Sequence, residues 1–288
     1  NLYGAQIKQS LQKEHCVFDF TVLQDGERYK NIESLNKIWD KAIEFRLDRK
    51  DAFIALGGGV IGDITGFAAS SYQRGIDFVQ IPTTLLAQVD SSVGGKVAIN
   101  HFFGKNLLGA FYQPKLVLAD IETLKTLPLK ELKTGLAEVL KYGFIEQSCG
   151  LDTDQFLSFL QENKKKIYDL DPTVMSELVE HCCKLKACVV HQDEKETGLR
   201  AILNLGHTIG HAIEKSTNYE VFTHGEAVVI GLKGAFLLSR KLEKIDENYL
   251  QLMLKLLKDY DLEYKIPQNI SIESILQSMA YDKKVIAL

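Results

Sequence analysis

The sequence predicts two domains of different class: an α/β domain with a parallel sheet over 1–124 and an all-helical domain over 125–288. Three observations carry this reading. Up to about residue 124, short β-rich runs alternate with stretches of helical apolar spacing, the pattern of strands joined by crossover helices. A glycine-rich GGGVIG segment, 57–62, follows one of those strands and opens a helix. Beyond 124 the strand signals nearly vanish and long helical patterns take over.

The elements follow in order. Residues 17–22 form a β-rich run and 31–45 carry helical apolar spacing. Residues 51–56 read as a buried strand that runs into the glycines, and 63–71 as the helix after them. Strands are expected again at 78–81 and 116–119. In the second part, helices are expected over 129–146, 154–167, 174–191, 204–215, 227–242 and 247–260. The Lys164-Lys165-Lys166 run reads as a solvated helix face.

Composition narrows the function. A chain of 288 residues with 45% hydrophobic and 25% charged content is that of a soluble globular protein. A net charge of -4 gives no drive toward nucleic acid. No uninterrupted apolar run is long enough to span a bilayer, so no membrane partner is expected. The N-terminus, Asn1-Leu2-Tyr3, has no signal-peptide pattern and no Met, so the true start is expected to lie earlier. Five cysteines without a CxxC pair suggest neither a disulfide framework nor a cysteine zinc site. Reduced thiols in the cytoplasm are the expectation.

The chemistry-bearing residues form two groups. Glu138 in GLAEVLKYG, His207 and His211 in NLGHTIGHAIE and His224 in THGEA combine imidazoles with a carboxylate, donors that suit Zn²⁺ or a similar divalent ion. His207 and His211 stand four apart on one helix face and by themselves suggest an HxxxH pair. In the first domain, GGGVIG matches GxGxxG in the strand-then-helix context that a dinucleotide pyrophosphate requires. The usual acidic ribose ligand is not clearly placed, because Asp77 begins a strand instead of ending one. The segment PTTLLAQVDSSVGGK, 82–96, gathers hydroxyls, a carboxylate, glycines and a lysine after a strand end, where ligands collect in open α/β sheets. Lys96 and Lys105 can both hold an anion, with Asn106 giving directional hydrogen bonds.

GGGVIGDITGFAAS, QRGIDFVQIPTTLLAQVDSSVGGKVAIN, KNLLGAFYQP, GLAEVLKYG, DEKETGLRAILNLGHTIGHAIE and HGEAV together resemble the 3-dehydroquinate synthases, a family within the sugar-phosphate cyclases. The resemblance runs from about residue 26 to Asp282-Lys283-Lys284. It implies a Rossmann-like N-terminal domain, a helical C-terminal domain and an active site in the cleft between them. It implies a shikimate-pathway lyase, of aromatic amino acid biosynthesis, that needs NAD⁺ and Zn²⁺, or Co²⁺, and is a homodimer. Its substrate would be the sugar phosphate 3-deoxy-D-arabino-heptulosonate 7-phosphate. The steps would be oxidation, phosphate elimination, reduction, ring opening and aldol closure. The family's opening strand and helix precede the sequence given, and its continuation after DKK is short.

The same resemblance implies roles residue by residue. The metal ligands would be Glu138, His207 and His224, leaving His211 beside the metal to handle protons and contact phosphate. Lys96, Asn106, Lys141, Lys186, Arg200 and Asn204 match substrate-binding positions, with Lys96, Asn106 and Lys141 also in the catalytic set. Asp90 matches an acidic active-site position, Arg74 an arginine that reaches the neighbouring subunit's phosphate, and Lys283 a further phosphate contact. For NAD⁺, Glu27, Lys30, Gly58, Gly59, Asp63, Thr83, Thr84 and Lys105 match. Residue type alone does not separate Lys186 from Lys184, or Glu196 from Glu194. The rivals are a related cyclase such as 2-deoxy-scyllo-inosose synthase, a metal-dependent polyol or glycerol-phosphate dehydrogenase that releases NADH, and a non-catalytic zinc-binding protein.

Overall fold

Ten α-helices and five strands occur among the residues that a computed structural model describes, 2–149, 155–217, 219–266 and 270–280. The chain divides into two compact units, Asn1–Thr123 and Leu124–Leu288. After helix α1 (Gly4–Lys13), the first unit is built on β1 (Ala52–Gly57), β2 (Asp77–Pro82) and β5 (Leu116–Val117), a parallel sheet in the order β1-β2-β5. Helix α2 (Ile32–Glu44) is capped by Asn31, whose side chain accepts from the Ser34 amide. Helix α3 (Gly59–Ser71) crosses over from β1 to β2. Leu35, Ile64, Phe78 and Ile99 are fully buried in the core that these elements share. Each such side chain contributes roughly 1.5–3 kcal/mol by leaving water.

Beside the parallel sheet lies an antiparallel hairpin, β3 (Lys96–His101) with β4 (Gly104–Phe111). No strand is expected here from the sequence, because Gly94, Gly95, Gly104 and Gly109 hide its alternation. Gly109 is required there, since a Cβ would lie 2.3 Å from the Val97 carbonyl oxygen. The β-rich run at 17–22 is not a strand. It joins no strand ladder among the described residues, and Val17 and Val22 are exposed. Without a neighbour to take its ladder hydrogen bonds, strand propensity alone does not hold a strand.

The second unit is helical: α4 (Leu129–Ile145), α5 (Gln155–Tyr168), α6 (Pro172–Gln192), α7 (His207–Ser216), α8 (His224–Lys241), α9 (Glu247–Asp259) and α10 (Ile272–Ala280). Six of these answer the six expected helices, with shifted ends. The largest shift is at α7, where the chain from Leu199 to Asn204 winds as a 3₁₀ segment and the α-helix begins at His207. The short helices α1 and α10 are not among those expected from the sequence. Helices α4, α7 and α8 meet without side chains between them. A Cβ on Gly231 of α8 would stand 1.9 Å from the Gly206 carbonyl oxygen, and one on Gly225 would stand 2.5 Å from the Thr134 backbone on α4. Gly206 itself has φ +79°, the left-handed conformation that glycine adopts without strain.

Gly231→Ala is therefore expected to push α7 and α8 apart and to cost about 1–3 kcal/mol, the usual range for overpacking. Gly4→Ala, whose Cβ would meet nothing within 4 Å, is the control and should leave stability unchanged or slightly higher. Urea unfolding midpoints of the two variants check both statements.

Candidate metal centre and nucleotide turn

The closest gathering of chemical groups lies where α4, α7 and α8 touch. Glu138 is fully buried just past the middle of α4. His207 is the first residue of α7 and His224 the first of α8. Thr223 caps α8 by accepting from the Glu226 amide, while the Glu226 carboxylate accepts from the Thr223 amide at 2.7 Å. The Thr134 hydroxyl on α4 bonds the Thr223 hydroxyl at 3.0 Å, one helical turn before Glu138. Glycine contacts and cap thus bring His224 over the Glu138 carboxylate.

The donor geometry fits a small divalent ion. Glu138 Oε1 lies 3.4 Å from His207 Nε2 and 3.5 Å from His224 Nε2. Donors about 2.1 Å from a tetrahedral ion stand roughly 3.4 Å apart. Both carboxylate oxygens are buried and neither receives a hydrogen bond of good geometry, although Lys141 Nζ is ion-paired to Oε2. His207 Nδ1 donates to the Leu205 carbonyl at 3.2 Å, which leaves the Nε2 lone pair facing Glu138. Three protein donors leave a coordination position for a substrate oxygen.

Charge follows from burial. Burial alone would raise the Glu138 carboxyl, but Lys141, His207 and His224 outweigh it and hold the group well below the usual carboxylate range. Burial, with the charges of Lys141, His224 and His211, keeps His207 neutral, Glu138 opposing. Burial would also neutralise His224, yet the adjacent Glu138 carboxylate and the hydrogen-bonded Glu214 carboxylate overcome it and push the ring up to about 10. A cation at Nε2 would displace that proton. His211 stands beside the pair, its ring 5.3 Å from that of His207 and 6.0 Å from that of His224.

The buried cations of this unit sit on α4, on α6 and in the turn after it. Lys141, Lys186 and Arg200 are all buried. Lys184, the neighbour that sequence could not separate from Lys186, is exposed and paired with Glu180. Glu196 accepts from the Asn204 amide at 2.9 Å, whereas Glu194 is exposed and lends its backbone carbonyl to the Arg200 guanidinium. Asp193, which sequence reasoning passed over, organises this turn. It accepts from the amides of Thr197, Gly198 and Arg200 at 2.7, 2.8 and 2.9 Å.

In the first unit the glycine turn behaves as read, with one addition. Gly58 caps α3 and Gly59 opens it. A Cβ on Gly58 would meet Thr84 at 3.1 Å, and one on Gly59 would meet the Ser91 hydroxyl at 2.9 Å. The glycines are thus needed by the protein's own 83–91 loop. Thr83 donates its amide to the Gly57 carbonyl, and the Thr84 hydroxyl accepts from the Ala87 amide. Asp90 lies in a π-helical turn, Ala87–Ser91, a form often found at functional sites. Lys30 is buried, ion-paired with Asp63 and bonded to the Asn106 side chain at 2.6 Å. Asn100, which sequence reasoning missed, ties Glu27 and Asn106 into the same network at 2.8 and 2.9 Å. Lys96 opens β3 exposed, Lys105 lies half-buried on β4, and Arg74 is exposed on the turn after α3. Lys283 lies outside the described residues.

The model of the 3-dehydroquinate synthase N-terminal domain matches residues 20–134 and that of the C-terminal domain matches 135–285. The chain belongs to the 3-dehydroquinate synthase family. It is 51% identical over 264 residues to the chloroplastic 3-dehydroquinate synthase of Solanum lycopersicum, matching 92% of this chain and 58% of that protein. It is 45% identical to the 3-dehydroquinate synthase of Desulforamulus reducens, over 99% of this chain and 78% of that protein. Among solved structures, it resembles a 2-deoxy-scyllo-inosose synthase complexed with carbaglucose-6-phosphate, NAD⁺ and Co²⁺, at TM-score 0.87 and 30% identity, over 97% of this chain and 74% of that one. It also resembles the 2-epi-5-epi-valiolone synthase of Streptomyces hygroscopicus with NAD⁺ and Zn²⁺ bound, at TM-score 0.86 and 27% identity, over 97% and 76%. A probable glycerol dehydrogenase of Sinorhizobium meliloti, at 16% identity and TM-score 0.68 over 96% and 81%, shares the fold alone.

In this member of the family the Asp193 turn gives a pH-dependent prediction. Hydrogen bonds from the Arg200 and Thr197 amides hold the Asp193 carboxyl below its ordinary value. A depressed carboxyl adds stability that is complete above the unfolded value of about 3.9 and is lost as pH falls through the folded value. Asp193→Asn should therefore be less stable than the parent at pH 7, and the gap should narrow below about pH 4. Urea midpoints of both proteins from pH 7 to acid check it.

Proposed function

We propose that this chain catalyses the 3-dehydroquinate synthase reaction, converting 3-deoxy-D-arabino-heptulosonate 7-phosphate into 3-dehydroquinate and phosphate in the shikimate pathway. The observation that carries the proposal is the fully buried Glu138 carboxylate facing two imidazole nitrogens, in a chain that matches the family over 20–285. The second unit holds the cation through Glu138, His207 and His224, and binds substrate. The first unit holds NAD⁺ along Gly58 and Gly59, with Glu27, Lys30, Asp63, Thr83, Thr84 and Lys105 around it. When bound, Zn²⁺ or Co²⁺ would polarise a substrate oxygen while NAD⁺ takes up a hydride and returns it.

The chain's own residues do the rest. Lys186 and Arg200 are buried cations suited to a substrate bearing both a carboxylate and a phosphate. Lys141 keeps Glu138 ionised and places positive charge where substrate oxygens become anionic. Asn204, positioned by Glu196, supplies a directional hydrogen bond. His211 holds or passes a proton beside the metal centre without ligating the ion. By their match to the family's motifs, Asp90, Lys96 and Asn106 serve the substrate, and Lys283 its phosphate. Arg74 reaches the phosphate of a neighbouring subunit in a homodimer, a reading that its exposure on a turn supports. Five free cysteines support work in a reducing compartment such as the cytoplasm. The relatives named above as 3-dehydroquinate synthases, at 45 and 51% identity, favour this substrate over that of the inosose synthase at 30%.

Three outcomes test the reading. Phosphate should be released from the heptulosonate phosphate only when NAD⁺ is present and chelator is absent. No NADH should accumulate, whereas a steady rise in nicotinamide absorbance would indicate a dehydrogenase. His211→Asn should keep near-stoichiometric zinc and lose about 10²- to 10⁴-fold in turnover, while His207→Asn loses both. A folded His211→Asn protein emptied of zinc would return the HxxxH pairing.

A further inference from the structure

Glu214 has no part in the function described so far. It lies on α7, one turn beyond His211, and is buried at 4% exposure. Its Oε2 stands 3.4 Å from His224 Nδ1, while Nε2 of the same ring stands 3.5 Å from Glu138 Oε1. The two nitrogens of one imidazole therefore face two buried carboxylates. A neutral imidazole carries a proton on one nitrogen and a lone pair on the other. Which nitrogen keeps the proton decides which side can hold an ion.

His207 gives the comparison within the same site. Its Nδ1 faces the Leu205 carbonyl, an acceptor that forces the proton onto that nitrogen and turns the Nε2 lone pair to Glu138. His224 repeats the arrangement with a carboxylate in place of the carbonyl. We propose that Glu214 is a positioning residue of the metal centre: it accepts the Nδ1 proton of His224, fixing the ring and its tautomer so that Nε2 faces the ion. The inference rests on the reading of Glu138, His207 and His224 as the ligands. Outer acceptors of this kind raise the basicity of a histidine ligand, and their loss weakens metal binding about 10- to 100-fold. The geometry also contains a competing set, because donor atoms of His211, Glu214 and His224 lie within 4.8 Å of one another. In that set Glu214 would itself be a ligand.

Zinc affinity decides between them, measured by competition with a chromogenic chelator on Glu214→Ala, Glu214→Gln and Glu138→Ala. Glutamine keeps an acceptor oxygen of similar reach but is a poor metal ligand. The proposal expects Glu214→Ala to lose about 10- to 100-fold, Glu214→Gln to recover most of that loss, and Glu138→Ala to lose tight binding. Unchanged affinity in Glu214→Ala, with binding lost in Glu138→Ala, overturns the role of Glu214 and leaves the ligand set standing. Tight binding kept in Glu138→Ala but lost in both Glu214 variants overturns the ligand set and the proposal together. If Glu214→Ala does not fold, nitrogen-15 spectra of the histidines in the zinc-loaded parent and in Glu214→Gln replace it. A protonated, hydrogen-bonded Nδ1 on His224 in the parent is expected, and a protonated Nε2 with Nδ1 on the metal overturns the proposal.

Discussion

The site depends on backbones that touch. Gly231 of α8 packs on the Gly206 carbonyl at the start of α7, and Gly225 packs on the Thr134 backbone of α4. Helix axes separated by ordinary side chains stand about 8–10 Å apart, and the helix ends here approach more closely than that spacing favours. The approach has a direct chemical consequence. His207 and His224 are the first residues of their helices, so each extends from a fixed end onto the same turn of α4. Glu138 is on that turn. A methyl group at either glycine would separate donors that need to converge to within a few tenths of an ångström.

Convergence has an electrostatic cost that the site itself offsets. A fully buried carboxylate is expensive unless it is paired. Glu138 is held ionised by Lys141 and the two imidazoles, and the buried charges of Lys141 and His224 are in turn tolerated because of Glu138. Removing one member of such a set strands the others, and the loss from breaking a buried pair is typically about 3–5 kcal/mol. The same groups therefore serve stability and chemistry. The first unit shows a milder version, in which Asp63 and Asn106 satisfy buried Lys30, and Asn100 holds Glu27 and Asn106 in place.

Much of this was legible in the sequence. The glycine turn at 57–59, the strands on either side of α3 and the six long helices follow from periodicity and turn chemistry. The choice of Glu138, His207 and His224 came from the family resemblance, since residue type and spacing alone left His211 in the set. Other features were not. The run at 17–22 has strand composition but no partner, and a ladder is a property of two segments. The hairpin 96–111 was masked by glycines that serve close strand approach. Asn100, Asp193 and Glu214 act by orienting other residues, and nothing in residue type distinguishes an orienting carboxylate or amide from a solvated one. Their roles emerge only from which atoms they face.

The most direct test of the account is X-ray absorption at the zinc edge of the zinc-loaded protein. The account predicts a first shell of nitrogen and oxygen at roughly 2.0–2.1 Å, with multiple scattering from two imidazoles and no sulfur. A shell containing three imidazoles would place His211 on the ion, and a sulfur shell near 2.3 Å would move the metal to the cysteines. Either result would contradict Glu138, His207 and His224 as the protein's ligand set.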